Sequence, residues 1–197
     1  MKERGILFSA RMVRALLARR KTQTRRVVNQ QPGSGVVPYK TSIGSWNWVL
    51  PETGHGTQDP FVCPYGTPGD RLWVRETWGW IGDHRHCDQR SIYYRADRDD
   101  WLPGQAWRPS IFMPRWASRA TLATESVRVE RLQEITFGDV RAEGVECPTH
   151  DFESGFCSSP CGDLRDAWIN GWDRINGKRA PWASNPWVWV VCFRVIS

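Results

Sequence analysis

The sequence predicts an α+β fold that is mainly β: a closed or nearly closed barrel with a few peripheral helices. Segments of strand character outnumber those of helical periodicity, and they do not alternate with helices as βαβ units do. The 197 residues, with 40% hydrophobic content, suit one domain with a proper core. We therefore expect a single domain over residues 1–197, with long loop insertions near 30–60 and 145–162.

The first elements predicted are a strand, a helix and a second strand. Residues 6–8 form a short apolar run, and Ser9 can cap a helix by accepting from its free amides. That helix carries an apolar stripe at helical spacing. Lys21 falls at its C-terminal end, where unpaired carbonyls favour a cation. Residues 24–28 have β-forming character and predict the next strand.

The middle of the chain predicts a hairpin and a half-buried strand. Residues 30–60 are rich in turn formers and contain one apolar stretch at 46–50, which indicates a long loop with a short hairpin inside it. Alternation over residues 71–78 indicates a half-buried strand, with Leu72, Val74 and Glu76 on one face. An unpaired buried carboxylate is costly, so Glu76 either belongs to a site or is paired with an arginine.

The second half of the chain predicts three further strands and two helices. Residues 91–95 have the pattern of a strand, and residues 121–133 that of one bent strand or two short ones. A short helix begins at Thr136, with Asp139 as its capping acid and Gly144 near its end. A second helix covers about 163–175, and residues 187–195 form the strongest strand in the sequence.

The charge of the chain favours an anionic partner. The formal net charge is +6 and the sequence pI is near 9.2, so nucleic acid is the obvious candidate. No apolar stretch is long enough to span a bilayer, and the first residues lack the apolar core of a signal peptide. We expect a cytoplasmic protein without a membrane partner, and the sequence leaves its oligomeric state open.

Residues 19–26 combine five cations with two threonines. We interpret Lys21 and Thr24 as turned inward while most of the arginines remain outside. Burial would lower the pKa of Lys21, which could then serve as a general base or an electrostatic activator for the Thr24 hydroxyl. Glu76 would orient Lys21 or handle a proton. The candidate catalytic residues are therefore Lys21, Thr24 and Glu76.

Candidate ligand-binding residues come from the arginines and from the 13 tryptophans. Most tryptophans should fill the core, but those in or beside loops, at positions 46, 48, 78, 80 and 116, are better placed to stack on bases. The side chains that we expect to contact nucleic acid or substrate are Arg25, Arg26, Arg71, Arg75, Arg115, Trp78 and Trp116.

The six cysteines are expected to be reduced thiols, because the sequence has no export signal. Cys147, His150, Cys157 and Cys161 could supply four ligands to a structural zinc ion. Their spacing lacks closely spaced ligand pairs, so the alternative is a polar loop with incidental cysteines. The predicted chemistry requires no catalytic metal or other cofactor.

Two motifs resemble those of the ASCH family, a branch of the PUA-like β-barrel superfamily. The family pattern of glycine, lysine, threonine and arginine falls on Arg19, Lys21, Thr24 and Arg26, with arginine replacing the glycine. Glu76 matches the acid of the family's second segment, here residues 69–77. Residues 108–110, 113–119 and 185–190 also resemble a tryptophan-rich ASCH-like group common in phage and prophage genomes.

The resemblance implies binding of RNA or of a modified nucleoside. Small bacterial members of the family hydrolyse N4-acetylcytidine to cytidine and acetate with lysine, threonine and glutamate residues that match Lys21, Thr24 and Glu76. The leading hypothesis is thus an amidohydrolase acting on a modified pyrimidine, with Arg26, Arg71 and Arg75 on the sugar, phosphate or base edge. The alternatives are a non-catalytic RNA-binding module and a ribonuclease.

Overall fold

The computed structural model of the chain describes residues 1–56, 60–80, 92–98, 106–146 and 162–197, with the backbone alone at 162 and 163. Over these residues the fold is α+β and mainly β, as the sequence predicts. The strands are β1 (Glu3–Leu7), β2 (Gln23–Val27), β3 (Val37–Lys40), β4 (Trp46–Val49), β5 (Arg71–Arg75), β6 (Trp78–Trp80), β7 (Ile92–Tyr94), β8 (Thr121–Arg131) and β9 (Trp187–Val195). The helices are α1 (Ala10–Leu17), α2 (Phe137–Ala142) and α3 (Gly162–Asn176).

A five-stranded sheet with the order β1-β5-β8-β9-β2 forms the centre of the fold. The β1 and β5 strands run parallel, and the other neighbouring pairs are antiparallel. Two smaller ladders, β3 with β4 and β6 with β7, lie outside this sheet. The β3–β4 ladder confirms the hairpin predicted within residues 30–60.

Over the residues described, the central sheet does not close into a complete barrel. No backbone ladder there joins the two edge strands, β1 and β2. The Nη2 atom of Arg26, on β2, nevertheless donates a hydrogen bond of 2.5 Å to the Leu7 carbonyl of β1. The two edges therefore come within the reach of one side chain, which is the extent of closure that the described residues contain.

The last strand is apolar from Trp187 to Phe193 because this part of β9 lies between two cores. Its residues at odd positions from Trp187 to Phe193 pack into the larger core with Ile6, Phe8 and Leu72. Val188 and Val190 face the second core, which contains the α3 residues Trp168 and Trp172 together with Leu132, Val140 and Leu164. A strand buried on both faces needs no polar alternation, which explains why it gives the strongest signal in the sequence.

The local signals for the helices and the bent strand are confirmed. The Ser9 hydroxyl accepts from the Met12 amide at 3.4 Å, and Thr136 and Asp139 form a reciprocal capping box at the start of α2. Strand β8 is one continuous strand with an irregularity between Thr124 and Ser126. In the described part of the chain, no helix is long and apolar enough to cross a membrane.

Two tryptophans that the sequence suggested for base stacking belong to the core instead. Trp46 and Trp48 are buried, with Trp46 edge-on to Trp189 at 5.7 Å and Trp48 stacked on Phe61 at 4.8 Å. The hairpin that carries them folds back over the central sheet, so its aromatic face is covered. The sequence analysis placed both tryptophans in or beside loops and predicted that they could stack on bases, and that prediction is wrong.

Candidate functional site

A cleft of about 190 Å³ opens between the start of α1, strand β2, the turn after α2 and helix α3. Thr24, Arg25 and Arg26, the last three residues of the basic run at 19–26, line its β2 side. The α3 side contributes Trp168 and Trp172, whose rings stack at 5.6 Å with an interplanar angle of 24°. Arg11, Arg14, Arg174, Glu143 and Glu146 are also part of its lining. The cleft thus combines an aromatic wall with a mainly cationic one.

Lys21 lies behind this cleft, completely buried. The chain turns after α1 through a left-handed residue, Arg19 at φ 56°, and the Lys21 amide then bonds to the Ala15 carbonyl at 3.1 Å. The Nζ atom of Lys21 donates to the Gln23 carbonyl at 2.8 Å, the Glu143 carbonyl at 2.9 Å and Glu143 Oε2 at 2.7 Å. An ammonium group has three protons, so all three have an acceptor.

Burial and the charge of Glu143 change the pKa of Lys21 in opposite directions. Desolvation lowers the pKa of Lys21 below its ordinary value, while the charge and hydrogen bond of Glu143 act to raise it. Arg25 and Arg26 add smaller contributions that lower the pKa further. The partner of Lys21 is thus Glu143, the residue that ends α2.

Gly144 allows the turn after α2 to pass directly over Lys21. Its φ is +77°, in the left-handed region that favours glycine. A Cβ atom at this position would lie 2.8 Å from the Cβ of Lys21 and 2.8 Å from the Cβ of Ala15. The absence of a side chain at Gly144 is therefore what lets Glu143 reach the buried ammonium.

Arg25 extends the charged cluster on the other face of β2. Its buried guanidinium is bonded to Glu130 and lies 3.3 Å from Asp139 Oδ2 and 3.7 Å from Glu143 Oε1. Burial acts to raise the pKa of Asp139, but hydrogen bonds from Thr136 and Gln23 and the charge of Arg25 lower it to about 2. Among the described residues, Arg25 Nε and Nη1 have no hydrogen-bond acceptor.

Thr24 and Arg26 also line the cleft, from the face of β2 opposite to Arg25. Thr24 is buried at the cleft wall. The Arg26 guanidinium lies over the Phe8 ring at 5.4 Å and the Tyr65 ring at 6.0 Å, and it bonds to the Leu7 carbonyl. Burial lowers the pKa of Arg26, and its Nε has no acceptor in the described part of the chain.

Glu76 is paired with Arg119 rather than with Lys21. Arg119 Nε donates to Glu76 Oε1 at 2.9 Å and its Nη2 donates to Oε2 at 3.1 Å, while Nη1 bonds to Asp97 at 2.7 Å. Burial raises the pKa of Glu76, with Arg119 opposing that shift. The residues described as lining the cleft include Thr24 but not Glu76. The three candidate catalytic side chains therefore occupy two clusters.

The remaining predicted ligand residues lie outside the cleft lining. Arg115 bonds to Glu3 at 3.0 Å, which lowers the pKa of Glu3, and Arg71 adds to that effect. Arg75 bonds to the Ile111 carbonyl and lies 5.2 Å from the Trp73 ring. Trp78 is buried and meets the half-exposed Trp116 edge-on at 6.0 Å.

Sequence reasoning missed Glu143 and the wall formed by α3. Glu143 precedes Gly144, which the sequence identified as the end of a helix, but nothing in the sequence indicated that this end would meet Lys21. Trp168 and Trp172 fall within the helix predicted at about 163–175, but nothing in the sequence indicated that they would line a cleft.

The predicted zinc ligands Cys147, His150, Cys157 and Cys161 lie outside the described residues. Among the residues that are described, no group of three or more histidine, cysteine, aspartate or glutamate side chains could hold a metal ion. The zinc site stays a prediction.

No protein-family model, curated protein or solved structure matches this chain. A function can consequently be inferred only from the geometry of the cleft and from the residues around it.

Proposed function

We propose that this protein binds a nucleobase, carried by RNA or by a modified nucleoside, in the cleft between α1, β2 and α3. In this proposal it is a cytoplasmic ASCH protein of the PUA-like barrel type. The observation that carries the proposal is that Thr24, Arg25 and Arg26, three consecutive residues of the basic run, line that cleft.

The composition of the cleft supports a ligand with both a planar ring and a phosphate. Arg11, Arg14, Arg26 and Arg174 supply positive charge around it, against Glu143 and Glu146. Positive side chains attract phosphate, and aromatic side chains stack on any base. The Trp168–Trp172 pair lies at the cleft wall but belongs to the second core, and each residue is only 6% exposed, so a base would meet only the small exposed part of the pair.

Titration with a short single-stranded RNA, followed by tryptophan fluorescence at several salt concentrations, tests the proposal. We expect the variant Arg11→Ala/Arg174→Ala to bind more weakly and to have a shallower salt dependence, by about one unit of slope for each phosphate that the variant no longer neutralises. Arg194→Ala is the matched control, because Arg194 is exposed and is not among the described cleft residues.

Absence of RNA and nucleoside binding by the wild-type protein would overturn the proposal. So would equal reductions of affinity in the double variant and the Arg194→Ala control. Gel analysis of the same RNA, with and without a divalent metal ion, reports strand cleavage and so tests the ribonuclease alternative.

Amide hydrolysis is the second candidate function, favoured by Thr24 at the cleft wall and by the buried Lys21, three residues before it in the chain. The Thr24 hydroxyl would attack the acetyl carbonyl of N4-acetylcytidine, and cytidine would leave with the hydroxyl proton on N4. Water would then release acetate and restore the threonine. Because its protons are committed to three acceptors, Lys21 would act as a fixed positive charge. Glu76 could handle a proton only after leaving Arg119.

Chromatography of cytidine released from N4-acetylcytidine tests this candidate. We expect Thr24→Ala and Lys21→Ala to abolish turnover, and Thr22→Ala, a change at an exposed neighbouring threonine, to preserve it. Glu76→Ala decides whether the carboxylate held by Arg119 takes part. Turnover that survives in the Thr24, Lys21 and Glu76 variants would exclude these assignments.

A further inference from the structure

Glu143 uses only part of its hydrogen-bonding capacity in the fold. Its main-chain carbonyl and Oε2 both accept from Lys21 Nζ, at 2.9 and 2.7 Å. Its Oε1 is buried and accepts no hydrogen bond from any described residue. The side chain is only 6% exposed, yet the residue lines the cleft. One oxygen of a buried carboxylate is thus unused at the wall of the cleft.

Buried hydrogen-bond donors without acceptors belong to residues of the same cleft, and one of these donors lies near this oxygen. Arg25 Nη1 is 3.7 Å from Glu143 Oε1, which is an ion-pair contact but too long for a hydrogen bond. Arg25 Nε and Arg26 Nε are also buried without an acceptor in the described part of the chain. All three residues line the cleft. The cleft therefore has a buried acceptor, Glu143 Oε1, and buried guanidinium donors, those of Arg25 and Arg26, among its lining residues.

A ligand in the cleft could complete the polar atoms that the fold leaves unused at its wall. A buried polar group without a partner destabilises the fold, and more so when it is charged. A ligand that supplies the missing partners recovers this free energy, and an analogue that lacks them is rejected strongly. Contact with the nearly covered carboxylate requires a side-chain shift at the wall, a common response to binding.

We infer that Glu143 selects the base bound in the cleft: its Oε1 accepts the N–H at the 4-position of a cytosine-type ring, and the neighbouring arginines donate to the acceptors on the same edge. The inference rests on the proposed nucleobase site. Cytosine offers an amine next to a ring nitrogen and a carbonyl, the complement of a carboxylate beside guanidinium donors. N4-acetylcytidine keeps one N–H at this position.

Uracil is disfavoured by the same arrangement. Its 4-position carries a carbonyl oxygen, which would face Glu143 Oε1 as acceptor against acceptor. A pyrimidin-2-one riboside has no group at this position and would leave the carboxylate oxygen unpaired. The site should therefore rank cytidine first among the three nucleosides.

Isothermal titration of the full chain with cytidine, uridine and the pyrimidin-2-one riboside tests the ranking without any mutation. We expect cytidine to bind more tightly than each of the other two by about tenfold or more. Equal affinities for cytidine and uridine would overturn the inference and leave the proposed function standing. Binding of neither nucleosides nor RNA would overturn both.

The Glu143→Gln variant then locates the selection in one side chain. Its amide can donate to the uracil carbonyl, so we expect the cytidine-to-uridine affinity ratio to fall towards one. Glu125→Gln is the matched control, since Glu125 is exposed, is paired with Arg194 and is not among the described cleft residues. The control should keep the wild-type ratio. Circular dichroism checks that both variants are folded; if Glu143→Gln is not, the wild-type ranking alone decides. An unchanged ratio in folded Glu143→Gln would overturn the inference.

Discussion

Two buried carboxylates of this protein have cationic partners but differ in how completely those partners satisfy them. Arg119 donates to both oxygens of Glu76 and places its remaining nitrogen on Asp97. Lys21 occupies only one side-chain oxygen of Glu143, and the other faces Arg25 across 3.7 Å. Among the described residues, the first cluster is fully paired, whereas the second keeps an unused acceptor beside a cleft.

The difference separates a structural ion pair from a site that can still bind. Both carboxylates are buried, and burial alone would mark either as functional. Only the second leaves polar atoms that a ligand could complete. The number of unused hydrogen bonds therefore distinguishes the two clusters better than their depth does.

Loss of the Lys21 charge should produce the largest effect and would show how much the second cluster depends on it. Lys21→Met leaves the Glu143 carboxylate and two carbonyls without their donor, and we expect the free energy of unfolding to fall by about 4 kcal/mol. Urea denaturation measures the decrease. Lys40→Met, at an exposed lysine, is the control and should change little. Equal stability of the two variants would contradict the role of Lys21.

Removal of Arg119 tests the first cluster. Arg119→Met leaves the buried Glu76 carboxylate without a cation, and we expect the free energy of unfolding to fall by about 3 kcal/mol at neutral pH. The decrease should be smaller than for Lys21→Met, because Arg119 is partly exposed to solvent. Arg115→Met, which breaks an exposed pair with Glu3, should cost less than about 1 kcal/mol.

The pH dependence of Arg119→Met has a defined sign. Burial already raises the pKa of Glu76 above its ordinary value of 4.5, and removal of Arg119 raises it further. Between the ordinary and the raised pKa the folded state holds a proton that the unfolded state has released, so stability falls as the pH rises through that window. The deficit of the variant should therefore shrink as denaturation is repeated at lower pH. A deficit that does not change with pH would contradict the pairing of Glu76 with Arg119.

Gly144→Ala should distort the second cluster without removing any charge. The new methyl group would contact Lys21 and Ala15 at a left-handed backbone position, and we expect the free energy of unfolding to fall by about 2 kcal/mol. Gly33→Ala is the control, since a Cβ there meets nothing within 4 Å. Thermal unfolding of both variants measures the difference. A stable Gly144→Ala protein would mean that the turn can move away from Lys21.

The smallest expected effect is a gain in stability. Arg19 has a φ of 56°, so Arg19→Gly relieves a left-handed strain, and we expect it to stabilise the fold by about 1 kcal/mol. Arg19→Ala removes the same side chain but keeps the strain, and should bring no such gain. Equal midpoints for the two variants in urea would show that the backbone is not strained there.

Much of the fold could be predicted because its signals are local. Ser9 and Thr136 mark helix starts through their own hydroxyls, and alternation or apolar runs mark β5 and β9. Pairing of Glu76 with an arginine was also among the predictions, because an unpaired buried carboxylate is costly. The sequence could not say which of the arginines would be that cation.

The site could not be predicted to the same extent, because its contacts join distant parts of the chain. Lys21 and Glu143 are 122 residues apart, and their contact depends on how α2 packs beside β2. The aromatic wall depends in turn on the docking of α3. The packing of the β3–β4 hairpin against the central sheet, which buries Trp46 and Trp48, is another long-range contact that no local pattern encodes.

The hydrogen bond from Arg26 to Leu7 has a consequence for self-association. An open sheet exposes two rows of unpaired backbone groups, and such edges recruit strands of other molecules into aggregates. Here the edges of β1 and β2 approach each other, and a guanidinium occupies the gap between them. Charged side chains on edge strands disfavour pairing with another chain, so Arg26 at this position would act against edge-to-edge association.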